Sequence, residues 1–162
     1  MRGLFLLALV VTFVAPLHCR GQSSCPWINA ATAEGVLDSK VDASVQETPG
    51  KDMNCTFKSV ETSGTRSLVV EVRDIDDREK GYAEAESKCT SAPTPVRGLG
   101  NEAFECVADH PDSHAMMIIG RVRGKLFVVS VIMTGRRDRG LTAASLEDKV
   151  TIAAGQVVGN LF

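Results

Sequence analysis

The chain has 162 residues, of which 44% are hydrophobic and 23% charged, with 18 basic and 20 acidic side chains. A faintly acidic balance argues against nonspecific nucleic-acid binding, and this length supports one domain with a substantial core. No repeat, low-complexity tract or long linker divides the chain.

The N-terminus reads as a leader. Arg2 supplies a positive charge, and LFLLALVVTFV, residues 4–14, is an uncharged apolar run. A membrane-spanning helix needs roughly 20 such residues, so this run suits the core of a signal peptide instead. Cys19 and Gly21 are small residues three and one before a cut, which places cleavage after Gly21 and makes residues 22–162 one mature domain. Lipid attachment at Cys19 is the disfavoured alternative, because His18 stands where a small residue is expected. Loss of residues 1–21 removes Arg2 and Arg20 and no acid, so 16 basic and 20 acidic residues remain, a net charge of about −4. The expected product is soluble and exported, periplasmic or secreted, with no transmembrane segment.

Cys25, Cys55, Cys89 and Cys106 remain after cleavage, and an even count in an exported chain reads as disulfides. Of three connectivities, Cys25–Cys55 and Cys89–Cys106 close the shortest loops. No C-x-x-C spacing favours a thiolate metal site.

PWINAATAEGVLDSK reads as a short helix with Asn29 as N-cap and Ala33, Val36 and Leu37 on one face. VDASVQ, residues 41–46, is expected at a sheet edge, and TPGKD, residues 48–52, as a turn. Two half-buried strands follow, the first with Met53, Cys55 and Phe57 inward, the second with Leu68, Val70 and Val72. In IDDREKGYAEAESKC the period becomes helical, with Ile75, Tyr82, Ala85 and Cys89 on one face and acids in the first turns. TSAPTPVRG reads as a loop, and AFECVA, residues 103–108, as a strand with Phe104 and Cys106 on one face. AMMIIGRV and KLFVVSVIM flank Arg123–Gly124 as a hairpin; the second run is apolar on both faces and belongs at the sheet centre, under helices on each side. The last helix is expected to start at an N-cap, Thr142, with Leu141 and Leu146 as a staple, and to bury Leu146, Val150, Ala153, Val157 and Leu161. The expected fold is α+β: an antiparallel sheet of about five to six strands in the order helix, three strands, helix, three strands, helix, with two disulfides.

Four stretches invite a chemical reading. Gly98, Gly100 and Ala103 have G-x-G-x-x-A spacing, but a dinucleotide turn must follow a strand and open a helix, and here a loop precedes and a strand follows. The two glycines are expected to take backbone angles that other residues resist. GRRDRGLT, residues 135–142, has the frame of a phosphate loop, yet Leu141 replaces its lysine; Arg136, Arg137 and Arg139 remain as a candidate anion or glycan site beside a helix start, set against a solvated basic loop. His110 and His114, with Asp109 and Asp112, carry donors for a divalent metal and so for a metal-dependent hydrolase, whereas Pro111 makes the segment a loop whose donors need not converge. NCT, residues 54–56, is a glycosylation sequon with Asn54 facing outward, and Trp27 reads as a core anchor near a disulfide. No nucleophilic elbow or catalytic triad stands out, and no cofactor is expected.

CPWINAATAEGVL, CTF and VRGLGNEAF together resemble small exported bacterial proteins and lipoproteins of unknown function with a PsbP-like α+β fold. The resemblance spans most of residues 25–133 and implies a sheet-and-helix sandwich and, in many members, a lipid anchor. It brings no catalytic residues. The functional expectation is a non-enzymatic exported domain that binds a protein partner or small ligand, with a metal-dependent hydrolase or metal-binding protein built on residues 109–114 as the alternative.

Overall fold

The computed structural model describes residues 24–48, 52–61, 64–75, 78–135 and 143–162. The leader, its cleavage point, Cys19, Thr142 and Leu141 lie outside the described residues. Among those described, no helix is long and apolar enough to cross a membrane.

The elements run α1 (Ala30–Leu37), β1 (Asp42–Thr48), β2 (Asp52–Glu61), β3 (Gly64–Asp74), α2 (Arg78–Glu86), β4 (Thr94–Pro95), β5 (Glu102–Val107), β6 (Ser113–Val122), β7 (Lys125–Gly135) and α3 (Ala143–Leu161). The strands form one seven-stranded antiparallel sheet in the order β1-β2-β3-β7-β6-β5-β4. The α+β class holds, and the strand count exceeds the expected five to six by one. The extra strand is β4, inside the stretch read as a loop. Its two residues are exposed and pair with Glu105 and Phe104. Pro95 has no N–H to extend the ladder, which explains both the brevity of β4 and its place at an edge.

Two meanders build the sheet. β1 to β3 advance to the middle, the chain crosses over through α2 to the far edge, and β4 to β7 return until β7 pairs with β3. The β3–β7 seam is paired from Gly64 with Gly135 to Asp74 with Lys125, and at that end Lys125 Nζ donates to Asp74 Oδ1 at 2.7 Å. β7 is therefore central, as its two apolar faces demanded. At the hairpin, Val122 pairs with Lys125 across Arg123 and Gly124, and Arg123 has φ 56°, the left-handed backbone of a two-residue turn.

Helices cover both faces unequally. On one, α1 and α3 bury Leu37, Leu146, Val150, Ala153 and Val157 against Phe57, Leu68, Val70, Phe127, Val129 and Val131. Asn29 caps α1 as expected, accepting from the Thr32 N–H at 2.8 Å. Trp27 packs against the edge of this core, and its carbonyl accepts from Asn160 Nδ2 at 2.7 Å. On the other face stands α2 alone. Ala85 is its fully buried residue, seated over Cys106, Ile119, Leu126 and Val128 with Tyr82 and Ile75 at the margin.

Tyr82, the only tyrosine, reports on that second layer. Its ring lies 5.9 Å from that of Phe104. Burial, reinforced by Glu102 and partly offset by Arg121, pushes its phenol up to about 12. In the unfolded chain the phenol ionises near 10, so folding is unaffected below that pH and weakens as pH rises from about 10 through 12. Absorbance at 295 nm should therefore show one ionisation near 12 in the folded protein and near 10 in denaturant, and Tyr82→Phe should blunt the alkaline loss of stability.

Candidate functional site

Cys25 is joined to Cys55 and Cys89 to Cys106, the pairing expected from the shortest loops, with sequence separations of 30 and 17. The first bolts the segment before α1 to β2. The second bolts the end of α2 to β5. Both take their thiols out of nucleophilic chemistry.

The G-x-G-x-x-A stretch is a structural turn. Gly98 has φ 83° and Gly100 φ 70°, and the strand β5 follows directly. Asn101 then fastens the turn: its N–H donates to the Arg121 carbonyl at 2.8 Å, and its Oδ1 accepts from the Arg123 N–H at 2.8 Å. Nothing here presents a helix N-terminus to a pyrophosphate.

The histidine loop is a tight connection between β5 and β6. His110 and Ser113 exchange backbone hydrogen bonds at 2.9 and 3.2 Å across Pro111 and Asp112. His114 Nδ1 meets Asp109 Oδ1. Strand alternation turns His114 away from Ser113, towards the face that carries Met116, and Asp109, His110, Asp112 and His114 all line a small cavity of about 210 Å³ at this loop. Among the described residues no three His, Cys, Asp or Glu side chains are grouped to hold a metal ion. The structure thus joins His114 with Asp109 and does not add His110 and Asp112 to a donor set. Arg136, Arg137 and Arg139 lie outside the described residues. Asn54 sits on the face opposite Cys55 and is half-buried, with its Oδ1 buried and without a hydrogen-bond partner.

A crevice that the sequence did not mark, although His110 and Cys89 line part of it, lies on the α2 side of the sheet. Its volume is about 440 Å³, within the range of small-molecule sites. Its origin is a mismatch of lengths. The nine residues of α2 span roughly 13 Å, whereas the eleven of β7 extend for roughly 36 Å. The helix covers the Leu126 end of the central strands and stops short of Ser130 and Ile132.

The floor is read from the register. Ser130 lies directly between Val69 on β3 and Met117 on β6, with Val128 and Ile132 two residues away on its own strand. Ser87, Lys88, Cys89 and Thr90 form one wall, just beyond α2. The Cys89–Cys106 bond holds that wall, together with the Thr90 N–H donated to the Val107 carbonyl at 2.7 Å and the Asp109 N–H donated to Thr90 Oγ1 at 2.9 Å. His110 and Ser113 close one end, and the pair Lys88–Glu71, at 3.5 Å, stands at the mouth.

Two features separate this crevice from an ordinary surface dent. Val128, Met117 and Ser130 keep only 4, 5 and 7% of their surface exposed, so the floor is closely packed. Ser130 places a hydroxyl on this floor that has no hydrogen-bond partner among the described residues. Open to the crevice, it is satisfied by water when the space is empty, and an occupant that displaces that water must replace its hydrogen bond. The one sequence signal was Ser130 itself, a lone hydroxyl inside the apolar run of the central strand; its significance depends on which neighbours the register supplies.

No family model, no curated protein and no solved structure matches this chain.

Proposed function

We propose that this chain is a non-enzymatic exported binding domain that holds a small, mostly apolar molecule in the crevice between the end of α2 and the sheet. The carrying observation is an apolar floor with one unpartnered hydroxyl that lines the crevice, enclosed on one side by a disulfide-fastened wall. Apolar lining with a few placed polar groups is the usual composition of a ligand site. Export rests on the reading of the leader; two disulfides and the lack of a membrane-spanning helix among the described residues are compatible with it. The PsbP-like relationship is part of the same proposal, supported by an antiparallel sheet with helices on both faces.

The test uses the neutral apolar dye Nile red. Wild-type protein should bind it with a blue-shifted, enhanced emission. Val69→Trp should reduce binding at least about 10-fold, because a half-exposed residue at the crevice edge is replaced by an indole that fills the space. The thermal midpoint should stay within a few degrees. Dye binding that ignores Val69→Trp would place the apolar site elsewhere and defeat the reading.

A further inference from the structure

We infer that the occupant of the crevice is an uncharged, chain-like molecule with one hydroxyl or carbonyl group set between two hydrocarbon stretches, of the class of neutral acyl esters and long-chain alcohols. This rests on the crevice being the binding site, and it adds which chemistry fits there.

The arrangement of the floor carries the inference. Along β7 the order is Val128, Ser130, Ile132: apolar, hydroxyl, apolar. Across the sheet at the level of Ser130 stand Val69 and Met117, again apolar. The only polar point of that floor row is therefore surrounded by hydrocarbon on four sides. A ligand that covers it without a hydrogen-bonding group leaves the hydroxyl dry and unsatisfied; one that carries such a group satisfies it. A serine hydroxyl both donates and accepts, so an alcohol or an ester carbonyl serves equally.

The mouth decides the charge. Lys88 and Glu71 both line the crevice and are paired with each other at 3.5 Å, so together they offer no net charge to an incoming head group. A ligand carboxylate would meet the carboxylate of Glu71 as well as the ammonium of Lys88, and it would lose its hydration in an apolar space. A ligand ammonium would face the mirror-image difficulty. The run of apolar side chains on either side of the hydroxyl suits a ligand with hydrocarbon on both sides of its polar group.

The experiment is displacement of Nile red from the exported protein at pH 7 by 1-decanol, decane and decanoate, each delivered from cyclodextrin, with wild type, Ser130→Ala, Ser130→Thr and Val69→Trp. In wild type, decanol should displace the dye about 3- to 10-fold more effectively than decane, the worth of one net hydrogen bond. Decanoate should be at least about 10-fold weaker than decanol. Ser130→Ala should abolish the preference, so that decanol and decane displace the dye equally, and Ser130→Thr should retain it. An unchanged decanol-to-decane ratio in Ser130→Ala, or decanoate binding tighter than decanol, overturns the inference while Val69→Trp still reports on the crevice. Displacement indifferent to Val69→Trp overturns the binding-site reading on which the inference rests.

Discussion

Replacing Cys25 and Cys55 together with alanine is expected to lower the free energy of unfolding by about 2–5 kcal/mol. The bond spans 30 residues, so its loss frees a long loop of the unfolded chain. In the folded state it ties the segment before α1 to the middle of β2, where Cys55 is fully buried between the sheet and its helices. Alanine avoids placing an unpartnered hydroxyl in that core. Urea unfolding should show a lower midpoint with an unchanged slope, since the surface exposed on unfolding is nearly the same. The corresponding loss for Cys89–Cys106, 17 residues apart and at the margin of the thinner layer, should be smaller. A loss below about 1 kcal/mol for the first pair would show that the bond does little to limit the unfolded ensemble.

Gly100→Ala should be the more damaging of two otherwise similar changes in one turn. Gly98 and Gly100 both have positive φ, and an alanine at either carries backbone strain of about 1–2 kcal/mol. At Gly98 an added Cβ meets nothing within 4 Å. At Gly100 it would lie 2.4 Å from the Arg121 carbonyl oxygen and 2.8 Å from Val122 Cγ2. That carbonyl already accepts the Asn101 N–H, and β6 is held in register with β5 on one side and β7 on the other, so the backbone has nowhere to yield. Overpacking of this kind adds about 1–3 kcal/mol. For a domain of this size the two effects together correspond to a drop in Tm of roughly 6–15 °C for Gly100→Ala, and the strain alone to roughly 3–6 °C for Gly98→Ala. Equal drops would mean that the close approach to β6 contributes nothing.

That same turn shows how far a sequence carries. The need for glycine at positions 98 and 100 was legible, because a loop before and a strand after left only a turn. Burial of Phe57, Leu68, Val70, Leu146 and Val150 was legible too, since each follows a period that only one element type produces. Even the central place of β7 could be read, because only a strand covered on both sides is apolar at every position. The disulfide pairing followed from loop length. β4 was hidden because its proline and exposed side chains carry no alternation at all.

The crevice was hidden for a deeper reason. It depends on where a nine-residue helix stops over an eleven-residue strand, and on β3 and β6 bringing Val69 and Met117 beside Ser130. Those are pairings between residues about 13 and 61 positions apart in the chain, which periodicity does not encode. The histidine motif was legible as composition alone: the fold sets His114 against Asp109, and among the described residues no three donors are grouped to hold a metal ion.

The central claim is that the Ser130 crevice holds a small apolar ligand, and the most direct measurement is of contact. With Nile red bound to methyl-labelled protein, intermolecular nuclear Overhauser effects should reach the methyl groups of Val69, Met117, Val128 and Ile132, and none should reach Val150 or Val157 on the opposite side of the sheet. Contacts confined to the exposed apolar side chains Val60, Ile152 and Phe162, with the crevice methyls silent, would contradict the account.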